Sequence, residues 1–174
     1  EIIIELLRHR VPLHCGGMSD PFQSREWDLK LTYELIKLCN EYNYPIMFST
    51  KTDHLPEEYF EILNPELHAF QVSILGWSDG YIKTWEYNTP SAQKRAKFVK
   101  ELRDRGFWCS VRIQPIIDVE ECELLMHHMK DIPSYYSIEH LHVIGDSHLA
   151  VQSVEKNFTH KEDLSLNGSV LEFK

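Results

Sequence analysis

The chain has 174 residues, of which 18 are Lys or Arg and 27 are Asp or Glu, giving a net charge of −9. That length suits one domain able to fold without disulfides or metal, and the charge disfavours a nucleic-acid surface spread over the whole fold while leaving one local basic groove open. No run approaches the roughly 18 apolar residues of a membrane span, and eight Pro and seven Gly are too few for a disordered or fibrous chain.

Residues 1–9 read as a helix and residues 12–16 as a strand. Residues 28–42 carry Leu31, Leu35, Leu38 and Tyr42 at helical spacing, with Asp28, Lys30, Glu34, Lys37 and Glu41 off that stripe. Residues 45–51 form a short β-type run, and residues 56–63 a short helix with Pro56 in its first turn. A second β run covers residues 69–75. Residues 90–105 predict a long helix with Ala92, Ala96, Val99 and Leu102 inside, closed by Gly106. Residues 107–116 are a third β run, Asp118 caps a helix through Lys130, and residues 137–144 are a fourth β run. The core is therefore assigned to residues 1–146, with a weakly patterned tail over 147–174. Strands alternating with helices imply βαβ units and a parallel sheet, either open and doubly wound or curled into a (β/α) barrel.

A sheet covered on both faces reads as continuous apolar runs. These strands instead place polar residues on one face, at alternate positions. Ser49 and Lys51 share a face opposite Phe48. Gln71 and Ser73 oppose Phe70, Val72 and Ile74. Ser110, Arg112 and Gln114 oppose Val111 and Ile113, and His140 and His142 oppose Leu141 and Val143. The shared register predicts a polar cavity at the C-terminal ends of the strands, where Lys51 and Arg112 would meet an anionic or zwitterionic ligand. A polar inner face on several strands fits a barrel with a wide lumen better than an open sheet.

Gly16-Gly17-Met18-Ser19-Asp20-Pro21 follows the first strand. Glycines there let backbone approach a ligand closely, while Ser19 and Asp20 offer partners to an ammonium group; an ordinary turn with an N-cap reads equally well. Neither GxGxxG, GxxxxGK[ST] nor GxSxG is present. His140-Leu141-His142 has the form of a strand metal pair that His14 could extend, although packed strand histidines share that spacing. Cys15, Cys39, Cys109 and Cys122 form no CxxC or CxxxC pair and read as reduced thiols of a cytoplasmic protein. Cys39 and Cys122 are expected in helix cores and Cys109 on an apolar strand face. Cys15 is placed beside the cavity as a candidate chemical thiol.

Several segments together resemble the radical S-adenosylmethionine (SAM) superfamily, in the branch of spore photoproduct lyase and DNA-photolyase-like proteins. They are Gly16-Gly17-Met18-Ser19-Asp20-Pro21-Phe22-Gln23, Ser49-Thr50-Lys51-Thr52, Gln71-Val72-Ser73-Ile74, Asn88-Thr89-Pro90-Ser91 with Arg95, and Arg112-Ile113-Gln114-Pro115-Ile116-Ile117. The resemblance covers residues 10–118 and implies an α/β fold: a partial (β/α)6 barrel of parallel strands, present here as strands two to six. It implies an enzyme that uses a [4Fe–4S] cluster to cleave SAM and abstract a hydrogen from a substrate. Gly16, Gly17, Met18 and Ser19 would approach the SAM amino group, Lys51 its carboxylate or a nearby polar group, and Ser73 the ribose. Arg112 and Gln114 would line the lumen. A flavodoxin- or ferredoxin-type electron donor is implied; the substrate, whether small molecule, peptide or nucleic acid, is left open.

Two departures from that family pattern stand out. The CxxxCxxC cluster motif is absent, and only Cys15 precedes Gly16. The chain is therefore expected to be a fragment with the cluster ligands upstream of residue 1, an expectation that its start at Glu1 rather than Met also suggests. Secondly, the position of the hydrogen-donating Cys of spore photoproduct lyases is Gly17, which weighs against thymine-dimer repair. Two other readings stay open: a metal-dependent hydrolase barrel using His14, His140 and His142, and a non-catalytic binding module that lost the cluster.

Overall fold

The computed structural model describes residues 5, 8–132 and 134–140. Five strands form one parallel sheet: β1 (Leu13–Cys15), β2 (Ile46–Thr50), β3 (His68–Ser73), β4 (Trp108–Ile116) and β5 (Tyr135–His140). The helices are α1 (Glu26–Leu29), α2 (Leu31–Glu41), α3 (Glu57–Ile62), α4 (Asp79–Trp85), α5 (Ala92–Asp104) and α6 (Val119–His128). The strands lie in sequence order, β1-β2-β3-β4-β5. A doubly wound sheet reverses direction part-way; this one never does. With right-handed crossovers, each described connection then crosses the same face of the sheet. That winding is the barrel type, as expected from the polar register.

Side-chain alternation follows from it. On the helix side, Phe48, Phe70, Val72, Cys109, Val111 and Ile113 are all fully buried. Phe48 and Phe70 lie 5.4 Å apart between ring centroids, and Phe22, from the loop after β1, packs 5.2 Å from Phe48. Such tilted and edge-on pairs add to the burial of the rings themselves. Asp118 caps α6 by accepting from the Glu120 and Glu121 amides, and Ser91 caps α5 through Lys94 N. Gly106, at φ +89°, closes α5.

Three expectations are corrected. The residues that α2 buries are Thr32, Ile36 and Cys39, while Leu31, Leu38 and Tyr42 of the predicted stripe are 70%, 51% and 72% exposed. Polar anchors set this orientation: buried Glu26 accepts from Tyr33 N and Tyr59 Oη, and Thr32 Oγ1 donates to the Pro21 carbonyl. Helix α4 was not anticipated. Finally, β5 begins at Tyr135 rather than 137, and its register with β4 shifts between Ile113 and Ile116. His142, the tail over 147–174 and the His140 side chain lie outside the described residues.

His68 opens β3 on the helix side, 1% exposed, its Nδ1 accepting from Asn64 N at 2.9 Å. Burial lowers its pKa from 6.5 to about 4. Between those values the unfolded chain takes up the proton and the folded one does not. Stability should therefore fall as pH drops through this window, by an upper bound of ~3 kcal/mol. His68→Gln should flatten that part of the urea-midpoint profile; an unaltered slope would assign the acid sensitivity to another group.

Candidate ligand site at the C-terminal ends of the strands

The polar face is organised in levels set by the register. Ser49, Gln71 and Ser110 stand side by side on β2, β3 and β4. His14 Nε2 lies 2.7 Å from Ser49 Oγ, which donates to Gln71 Oε1 at 3.1 Å. One level higher, Ser73 pairs with Arg112, and Arg112 with Ser137 on β5. Lys51, one residue past β2, is level with Ser73, Gln114 lies one step further along β4, and the loop from Gly16 to Ser19 leaves β1 beside Ser49. Gly16, Gly17, Met18, Ser19, Lys51, Ser73, Arg112 and Gln114 thus all stand toward the C-terminal end of the sheet.

Their engagement differs. Gly16, at φ +118°, passes so close to β2 that a Cβ would lie 2.1 Å from the Ser49 carbonyl oxygen, whereas a Cβ on Gly17 meets nothing within 4 Å. Gly16 is thus a packing glycine, and Gly17 is the one that leaves open space. Met18 and Ser19 are exposed. Asp20 is committed: its Oδ1 accepts from Phe22 N and Thr50 Oγ1, and its Oδ2 from Lys51 N at 2.6 Å. It ties the loop to the end of β2 instead of facing a ligand ammonium.

Lys51 Nζ reaches Glu86 Oε1 at 2.8 Å. The other oxygen of Glu86 accepts from Arg95 at 2.6 Å, and Arg95 also donates to the Ser73 carbonyl at 2.6 Å. Arg95 has no exposed surface. Burial pushes the Glu86 carboxyl up, but Arg95 and Lys51 more than offset it and hold it below the usual carboxylate range. Sequence reasoning missed Glu86. The available signal was Arg95 on the inner face of its helix beside Ala96 and Val99, since a buried guanidinium requires an acid.

On β4 the polar groups are unfilled. Arg112 is half-buried with no hydrogen-bond or ion-pair partner among the described residues. Ser110 Oγ and Gln114 Oε1 are buried and lack partners among them too. Unsatisfied groups of this kind on one strand face call for a polar ligand or water.

Cys15 is placed differently from expectation. It pairs with Phe48 and packs on the helix-side core, because the register that puts His14 on the polar face puts Cys15 on the other. Burial, followed by the nearby Glu26 and Asp20 carboxylates, raises its thiol pKa. It does not face the cavity. Cys39, Cys109 and Cys122 are buried, and no group of three potential metal-binding side chains occurs among the described residues. His14 and His140 stand on opposite edge strands, four strand spacings or ~19 Å apart along the sheet.

No protein-family model and no curated protein matches the chain. Two solved structures do match. One is a domain of pyruvate-formate lyase-activating enzyme from Bacteroides vulgatus ATCC 8482, with a TM-score of 0.55 and 13% identity, over 83% of this chain and 93% of that one. The other is a spore photoproduct lyase variant with bound AdoMet and dinucleoside spore photoproduct, with a TM-score of 0.61 and 17% identity. That match covers 95% of this chain and 51% of the other, so the chain spans about half the length of that neighbour. Both are radical SAM proteins. The chain shares their α/β fold. Its single sequentially wound sheet is the partial barrel of that fold.

Gly16→Ala should destabilise by about 2–3 kcal/mol, since the new Cβ meets backbone at a positive φ. Gly17→Ala should stay within about 0.5 kcal/mol. Equal effects in chemical denaturation would overturn the assignment of the two glycines.

Proposed function

We propose that this chain is the SAM-binding part of a cytoplasmic radical SAM enzyme. The observation that carries the reading is the unfilled polar row of β4, Ser110, Arg112 and Gln114, at the same end of the sheet as the open backbone at Gly17. Arg112 would take the SAM carboxylate with its two-pronged guanidinium. Lys51 spends one of its three donors on Glu86 and has two left for the same ligand. The Gly17 to Ser19 backbone would meet the amino group, Ser73 the ribose, and Gln114 a hydroxyl or amino donor.

Radical chemistry of this family also requires a [4Fe–4S] cluster held by three thiolates. The thiols described here do not furnish them: Cys15 packs toward the helices, and Cys39, Cys109 and Cys122 are buried in separate elements. The reading therefore assigns the cluster ligands to sequence outside these 174 residues, and a flavodoxin- or ferredoxin-type protein as electron donor. The dispersed thiols suit a second reading equally, a binding module that kept the cavity without a cluster. Iron and sulfide analysis of the native protein separates the two.

Titration of the full chain with SAM, followed by backbone amide NMR, tests the site. Shifts should gather at Gly17, Ser73, Arg112 and Gln114. Arg112→Ala should weaken binding about tenfold, the value of one charge-assisted contact, and Lys51→Ala by about threefold. Unchanged affinity in Arg112→Ala, or shifts scattered away from the strand ends, would sink the proposal.

A further inference from the structure

Below the level of Lys51, Ser73 and Arg112, the polar face holds hydrogen-bonding groups that the SAM reading leaves over. Ser110 is 3% exposed, yet its Oγ has no partner among the described residues. Its neighbour on β3 is Gln71. Ser49 Oγ has one proton and gives it to Gln71 Oε1, so His14 Nε2 supplies the proton in its own contact with Ser49 Oγ. The row therefore ends on Gln71 Nε2, a donor without a partner among the described residues. Ser49, Gln71, Ser110 and Tyr135 make up this level, and none of them is charged. A buried hydroxyl beside an unengaged amide calls for an uncharged partner that both donates and accepts.

Two residues nearer the N-terminal ends of the strands, ~7 Å along them, the same face turns apolar. Met47, Ala69 and Trp108 stand side by side there. With Pro12, Pro45 and Pro65, each just ahead of a strand, they line a cavity of about 530 Å³. That volume lies within the ~300–1,000 Å³ range of small-molecule pockets. Trp108 stacks on Tyr135 at 5.5 Å between ring centroids, with the planes 18° apart, and stays 42% exposed. No Lys or Arg lines the cavity, and Glu66 is its only carboxylate.

We propose that the cavity and the polar level beside it form one binding site for a small uncharged molecule with a flat apolar body and a carboxamide or hydroxyl head. The body lies against Trp108, Met47 and Ala69, and the head meets Gln71 Nε2 and Ser110 Oγ. A carboxamide fits both: its oxygen accepts from Gln71 and its N–H donates to Ser110. An anion is disfavoured, because it would lose its water at a level that has no cation and would meet Glu66. This inference does not depend on the SAM reading.

The probe is benzamide, with benzoate as its charged counterpart, each titrated into the full chain and followed by amide and indole NMR. Benzamide should shift Ala69, Gln71, Ser110 and the Trp108 indole N–H, and benzoate should bind about tenfold more weakly. Ser110→Ala should weaken benzamide about fivefold, the value of one neutral hydrogen bond, and Trp108→Ala by a similar factor. Equal affinity for benzoate, an unaltered benzamide affinity in Ser110→Ala or Trp108→Ala, or the absence of shifts on β3 and β4 would each overturn the proposal.

Discussion

Every crossover in this sheet steps in the same direction, and the two faces acquire different solvents as a result. One face meets helices and excludes water, so it takes Phe48, Phe70, Val72, Val111 and Ile113. The other meets no helix among the described residues, and its polar groups are tolerated where they face space rather than hydrocarbon. The site follows from the topology: loops at the C-terminal ends rise around a face that already holds hydrogen-bonding groups at fixed levels. A reversal of strand order would have covered Ser110 and Arg112 with a helix and made them untenable.

The loops are fixed in turn by buried charge. Arg95 and Glu86 are almost wholly withdrawn from water, and removing one partner of such a pair costs about 3–5 kcal/mol because the other is left uncompensated. The arrangement spans three elements: Arg95 from α5 holds the end of β3 through the Ser73 carbonyl, and Glu86 reaches across to Lys51 after β2. Asp20 completes the frame by joining the loop after β1 to the same point of β2. Since the Glu86 carboxyl is held below its ordinary range, its stabilising contribution is complete above the ordinary carboxylate pKa. It is lost as pH falls through the lower folded-state value. The rim of the site and the acid stability of the fold thus share one group.

Much of the fold was legible because its signals are local. Alternation in β3 and β4 marked both faces residue by residue, and Asp118 announced its own helix. The failures came where tertiary anchors outrank a local pattern. The stripe Leu31, Leu35, Leu38 and Tyr42 is the strongest apolar repeat of its helix, yet the hydrogen bonds of Glu26 and Thr32 turn a weaker face inward. Cys15 stands on the helix side instead of beside the cavity, and Gly16 at positive φ breaks the alternation between it and the loop that follows. Glu86 was invisible because an acid in a loop shows no period; only the need of buried Arg95 for a counter-charge points to it.

Charge decides what such a site can hold. The protein carries −9 overall, and a Debye length of ~8 Å at physiological salt lets neighbouring residues, not the total, set the potential at the ligand. At the strand ends, the Lys51 and Arg95 cations share the single carboxylate of Glu86, and Arg112 adds a cation with no described partner. A polyanion would need many more such groups in line. A small zwitterion with one carboxylate needs one fork-shaped cation. SAM has that distribution, with a sulfonium and an ammonium beside one carboxylate. On the proposed reading Arg112 would hold that carboxylate.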